Sequence, residues 1–323
     1  MAPPRLQPVR LADYLPWKRR DDPRLAELVT VVSDIKQVKE GDITIVGIPD
    51  DRGVAVNHGR IGARFGPAIF RQCFYRLPIG AEGELQGASL LDVGDVLPES
   101  TIEATHEALR QVVAALHRRG ATVIVLGGGH DTAYGSLMGL RDFDARSCIV
   151  NLDAHLDVRG REPDGQIGSG TTFRRLIEEG QVLGKDIYMV GYQSHSNTAA
   201  HVHFAREQGM HLWSWRDLSQ GGRLKVLTDL VNHWVQSKSV GVSWDMDSII
   251  ASAAPGVSAS AVVGFSAEES LYLAELLGAH HAIRQLEIME INPKVDGQAI
   301  TARLAAVVVW HFIAARLKDR IRA

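Results

Sequence analysis

Short apolar runs alternate along most of the chain with segments whose apolar positions recur every three or four residues. Runs of four to eight apolar residues bounded by turn signals read as strands, and the longer periodic segments read as helices with one buried stripe. The predicted strands are Ile43 to Ile48, Ser89 to Val93, Thr122 to Leu126, Cys148 to Leu152, Asp186 to Val190, Val240 to Trp244 and Leu286 to Ile291. Between them Leu109, Val112, Val113 and Leu116 mark one helical stripe, and Leu224, Leu227, Val231 and Trp234 mark another. Ser266, three residues before Glu269, predicts a capping box at the start of a helix that runs to Gly278. Thr301 to Leu317 holds Leu304, Val307, Val308, Trp310 and Ile313, more apolar surface than one stripe needs, so this helix is expected to pack centrally or meet another subunit. Strand and helix in alternation predict an α/β fold, three αβα layers around a mostly parallel sheet. With no internal repeat or linker, one domain is expected over 1–323, with 1–40 as a polar lead-in.

Composition narrows the partners. The chain has 323 residues, 45% of them hydrophobic, with 35 Lys and Arg against 38 Asp and Glu and a formal net charge of −3. That supports a full core and gives no electrostatic reason to expect nucleic acid or an anionic membrane. No uninterrupted run reaches the ~20 apolar residues of a membrane span, so none is expected. Lys18-Arg19-Arg20-Asp21-Asp22 reads as part of the polar lead-in, and Arg316 to Ala323 as a solvated helix terminus. Cys73 and Cys148 are far apart and form no CxxC, which argues against a disulfide framework or a thiolate zinc site and fits a reducing cytoplasm.

Three strand ends carry the chemistry. Thr122 to Leu126 runs into Gly127-Gly128-Gly129-His130-Asp131, where glycine permits tight turning and close backbone approach. Cys148 to Leu152 runs into Asp153-Ala154-His155-Leu156-Asp157, and Val240 to Trp244 into Asp245-Met246-Asp247. Side chains two apart on a strand share a face, so each run aims its acids and imidazole at one point beyond the C-terminal end, where open α/β sheets place ligands. A lone Asp-x-Asp is more often a turn or a cap. Four carboxylates converging without a cation would oppose one another's ionisation, and a metal removes that objection. Oxygen and imidazole donors without sulfur favour Mn²⁺, with Zn²⁺, Fe²⁺, Co²⁺ and Ni²⁺ as alternatives. The number of ligands calls for two ions, which can hold a hydroxide nucleophile between them, and the expected chemistry is hydrolysis.

These three motifs resemble those of the ureohydrolases, the arginase and agmatinase family, and the resemblance spans most of the chain. Asn57-His58-Gly59-Arg60-Ile61-Gly62-Ala63-Arg64-Phe65-Gly66-Pro67 is similar to the family's N-terminal segment, and Glu290-Ile291-Asn292-Pro293 to its acidic substrate-contacting motif. The resemblance implies an arginase-like fold and two Mn²⁺ per chain. In it Asp153 and Asp245 bridge the ions, His130 and Asp157 complete one site, and His155 and Asp247 complete the other. It also implies a homo-oligomer, trimer or hexamer, acting on a small molecule.

Arginase-like chains continue the third motif as Asp-x-Asp-x-x-Asp-Pro, whereas Ile250 and Ala251 stand here. Ala254-Pro255-Gly256-Val257-Ser258, Ser169-Gly170-Thr171-Thr172-Phe173-Arg174 and Thr301-Ala302-Arg303-Leu304-Ala305 are similar instead to the formimidoylglutamase branch. Asp131 departs from a Glu often found in that branch. The expected reaction is hydrolysis of N-formimidoyl-L-glutamate to glutamate and formamide in histidine degradation, by attack of a metal-bridging hydroxide. The alternatives are a guanidino or amidine hydrolase releasing urea, of guanidinobutyrase, agmatinase or arginase type, and a metal-containing binding or sensor protein. A dicarboxylate substrate calls for cations, and Arg159, Arg161, Arg174 and Arg175 follow the second motif. Arg159 and Arg174 are the expected contacts, with Ser169, Thr171 and Asn197 as further polar ones and the other arginines solvating the surface. Glu290 is expected to pair with the amidinium-like group, and Asp157 to carry a proton to the leaving amine.

Overall fold

Ten strands form in the computed structural model, which describes residues 4–14, 21–179 and 182–322. They are β1 (Leu6–Gln7), β2 (Thr30–Val31), β3 (Ile43–Gly47), β4 (Leu90–Val96), β5 (Thr122–Leu126), β6 (Cys148–Leu152), β7 (Ile187–Tyr192), β8 (His211–Ser214), β9 (Val240–Asp245) and β10 (Ile283–Met289). One sheet joins them in the order β1-β4-β3-β5-β10-β9-β6-β7-β8, with β2 beside β4. Neighbours run parallel except β1, which is antiparallel to β4. All seven expected strands are present. β1, β2 and β8 were not expected: the first two are too short to show a period, and β8 is half-exposed over His211 to Trp213.

Strands buried on both faces need helices on both sides. On one side, Phe70 and Phe74, Leu227 and Val231, Leu273 and Leu277, and Val308 to Ile313 make one core cluster against the sheet. On the other, Leu109 to Leu116, Leu137, Met138 and Phe173 make the second. The result is three layers, αβα, with a mostly parallel sheet in the middle. The helix Ile102–Arg118 buries its expected stripe fully, and the helix Ala267–Gly278 opens on the expected Ser266–Glu269 capping box.

Several expectations need correction. In the expected polar lead-in, Leu6–Gln7 extends the sheet edge and Leu25 is fully buried in the core; Lys18 to Arg20 lie outside the described residues. Leu224 starts the helix Arg223–Trp234 on its exposed side rather than in the stripe. Arg316 is buried, donating to the Ile283 carbonyl at 2.7 Å, and so belongs to the packing of the last helix rather than to a solvated terminus. That helix contains one span, Ile300–Lys318, long and apolar enough by composition to cross a membrane. Two-thirds of the span is buried inside the fold, as in a core helix.

The strands β5, β10, β9 and β6 are contiguous, and Leu126, Ile288, Trp244 and Leu152 stand level across them. Their C-terminal ends therefore open onto one place.

Candidate metal centre

Each of these four strands ends at, or within a few residues of, a functional group. Asp153 follows β6 directly, Asp245 ends β9, Glu290 follows β10, and the three glycines carry β5 to His130. The glycines are required by crowding from the protein itself: a Cβ on Gly128 would lie 1.8 Å from the Asp50 carbonyl, and one on Gly127 1.9 Å from Met289 Sδ. Asp157 and Glu290 hold φ of 47° and 65°, uncommon for side-chain-bearing residues and a cost of about 1–3 kcal/mol each that the surrounding contacts hold in place.

Two turns of the same design orient the aspartates. Asp153 Oδ1 accepts from the His155 amide at 2.6 Å, and Asp245 Oδ1 from the Asp247 amide at 2.8 Å. Their Oδ2 atoms then face His130 Nδ1, Asp153 at 3.2 Å and Asp245 at 3.1 Å, with Asp157 Oδ2 at 2.9 Å. His155 Nδ1 lies 2.9 Å from Asp247 Oδ2 and 3.4 Å from Asp153 Oδ1. Two ligand groups result, His130 with Asp153 and Asp157, and Asp153 with His155 and Asp247, sharing Asp153. All six ligands expected from the sequence meet here.

The protonation pattern is that of a centre built for cations. Burial disfavours charge on His130, yet Asp153, Asp157 and Asp245 outweigh it and hold its pKa well above the ordinary value. Asp247 and the other carboxylates nearby push His155 up to about 12. Burial, with Asp247 and Asp153, raises Asp245, and burial raises Asp247 to about 7. Buried carboxylates packed this closely hold protons where cations would otherwise neutralise them. His130 Nδ1 faces all three carboxylates at once, the arrangement of a ligand nitrogen around a shared cation. Its Nε2 meets Ser243 Oγ at 3.0 Å, which fixes the ring from behind. Donor set and geometry fit a binuclear metal site.

The centre floors a polar cavity of about 150 Å³. Glu290 enters its wall with Oε1 accepting from the His130 amide at 2.9 Å, while Oε2 is buried with no hydrogen-bond partner among the described residues. Arg159, Ser169 and Asn197 line the cavity. Asn197 is occupied with the backbone: its Oδ1 accepts from Leu156, and its Nδ2 donates to Ala154 and Gln193. Thr171 is not in the wall; it is buried and donates to the Gly168 carbonyl at 2.8 Å. Arg174 is likewise outside the wall, bonded to Glu178 at 2.7 Å and stacked over Phe204. Arg175, expected to solvate the surface, is buried between His106 and the face of Tyr134.

Asn57, Ser196, His201 and Ser258 also line the cavity. Asn57 donates to Ser169 Oγ at 2.9 Å, and Arg60 pins the loop of Ser258 through the Val257 and Ser258 carbonyls at 2.8 and 2.9 Å. Gly256 in that loop donates to Thr301 Oγ1 at 2.7 Å. Two of the segments likened to the formimidoylglutamase branch thus line the cavity through Ser169 and Ser258, and the third holds the Ser258 loop through the buried Thr301. Asn57 and Ser258 stand in motifs legible in the sequence, but nothing in the sequence singled out His201.

The fold and site define a metallohydrolase of α/β type, and the arginase family model matches residues 41–315: the chain belongs to the arginase family. Among its relatives, formimidoylglutamase of Lysinibacillus sphaericus is 31% identical over 315 residues, covering 93% of this chain and 96% of its own. That of Geobacillus thermodenitrificans is 32% identical over 287 residues, covering 88% and 86%. Among solved structures, Trypanosoma cruzi formiminoglutamase with Mn²⁺ superposes with a TM-score of 0.83 at 34% identity, covering 91% of this chain and 98% of that one. The site is a binuclear metal centre homologous to those of the formimidoylglutamases.

Proposed function

We propose that this protein hydrolyses N-formimidoyl-L-glutamate to L-glutamate and formamide, a step of histidine degradation. The observation that carries the reading is the pairing of opposite charges in one small cavity. An unpartnered buried Glu290 oxygen stands beside the metal ligands, and an Arg159 with no side-chain hydrogen bond or ion pair among the described residues stands in the same wall. An amidinium-like group fits the first and a carboxylate fits the second.

The assigned cofactor is two Mn²⁺ per chain, supported by the oxygen and imidazole donors and by the Mn²⁺ of the Trypanosoma cruzi relative. Asp153 and Asp245 are assigned as bridges, with His130 and Asp157 on one ion and His155 and Asp247 on the other. When bound, the ions supply a water acidic enough to attack near neutral pH. Glu290 Oε2 orients the formimidoyl group so that its carbon faces that water, and Arg159 holds a carboxylate of the glutamyl portion. Water adds to the carbon, the bond to the glutamate nitrogen breaks, and Asp157 passes a proton to the departing amine. Ser169 borders the substrate; Asn197 shapes the wall through the backbone it holds, and Thr171 and Arg174 act behind it.

The same reading takes residues 1–323 as one domain, in line with the continuous sheet, and places it in the cytoplasm as a homo-oligomer, with Trp310 and Val307 half-exposed on the last helix as contact surface. Incubation of Mn-loaded protein with N-formimidoyl-L-glutamate and with a guanidino panel tests the activity. Formamide is expected; urea from a guanidino compound without formamide would overturn the reading.

A further inference from the structure

The proposed substrate carries two carboxylates, and the cavity has few nitrogen donors left to receive them. His130 and His155 are metal ligands, and Asn57 and Asn197 already donate, Asn57 to Ser169 and Asn197 to two backbone carbonyls. Arg174 is outside the wall. Two nitrogen-bearing side chains remain, Arg159 and His201, and among the described residues neither makes a side-chain hydrogen bond or ion pair.

His201 sits in the first turn of the helix Ala199–Glu207, its amide bonded to the capping Thr198 hydroxyl at 3.3 Å, which fixes the backbone from which the imidazole reaches the cavity. We infer that His201 is a specificity residue, donating an imidazole N–H to one carboxylate of the substrate while Arg159 takes the other. Burial, with Arg159 nearby, keeps the His201 pKa below its ordinary value, so near neutral pH the ring is an uncharged donor. A cavity built to hydrogen-bond a polar group rejects analogues lacking it more strongly than an apolar pocket rejects a missing methylene.

This inference rests on the substrate assigned above, and the test separates the two. Wild type, His201→Ala and His201→Gln, each Mn-loaded, are assayed on N-formimidoyl-L-glutamate and on two analogues, one lacking the α-carboxylate and one the γ-carboxylate. For His201→Ala, KM should rise about tenfold on the full substrate and on only one analogue, the one that keeps the contacted carboxylate, with kcat within about twofold. His201→Gln, which retains an N–H donor, should recover part of the lost affinity. Metal content and melting temperature should match wild type in both variants. An unchanged KM on the full substrate, or an equal rise on both analogues, overturns the assignment of His201. Wild type inactive on N-formimidoyl-L-glutamate would overturn the substrate reading itself.

Discussion

Asp153 presents one oxygen to each imidazole, Oδ2 to His130 and Oδ1 to His155, and so stands in both ligand groups. Its removal should therefore cost both ions, whereas Asp247→Ala, which strips one group, should leave the other occupied. Metal analysis after dialysis checks this: Asp153→Ala is expected near zero and Asp247→Ala near half of wild type. Five of the six candidate ligands were legible in the sequence because they sit at alternate positions beyond a strand, where a period of two puts side chains on one face, and His130 because a strand and three glycines lead into it. The cavity wall was less so. His201 and Arg159 approach each other from separate elements, and no spacing within either segment encodes that meeting. Thr171 and Arg174 share a polar segment with Ser169, but the local turn sends one inward to a carbonyl and the other out to Glu178.

At the scale of elements, the long strands declared themselves through runs of branched apolar residues, while β8 did not, because an edge strand open on one side needs no such run. The helix Ile102–Arg118 shows a second thing that periodicity hides. Its inner stripe includes His117, fully buried, with Nε2 on Gln285 Oε1 of β10 at 2.8 Å. Burial lowers its pKa to about 4, with Gln285 opposing. Between about pH 6.5 and about 4 the unfolded chain holds a proton there that the folded chain refuses, so stability falls as pH falls through this window. The contribution at stake is about 3 kcal/mol. Urea midpoints at a series of pH values should show this acid limb in wild type and a shallower one in His117→Gln.

For the whole molecule, the centre links metal, protons and stability. Without cations, His130 and His155 hold their protons to high pH, and ions must displace them to bind. Affinity for Mn²⁺ is thus expected to rise as pH goes from about 6 to about 8, with proton release visible in calorimetry as a dependence on the buffer's ionisation enthalpy. Because the ions bind only the folded arrangement, chelation should lower the melting temperature; at a free metal level of about 100 times Kd, the stabilisation forfeited is about 2.7 kcal/mol for each site emptied.

β10 comes last in sequence among the described strands, yet it lies between β5 and β9. Without it the sheet is two separate pieces, one running from β1 to β5 with His130 at its edge, the other from β9 to β8 holding the remaining ligands. The residues that would grip the ions thus stand on two halves of the sheet that β10 alone joins. Pairing of β10 with β5 and β9 is therefore what carries His130 to the acids of the other half and turns one ligand group into two.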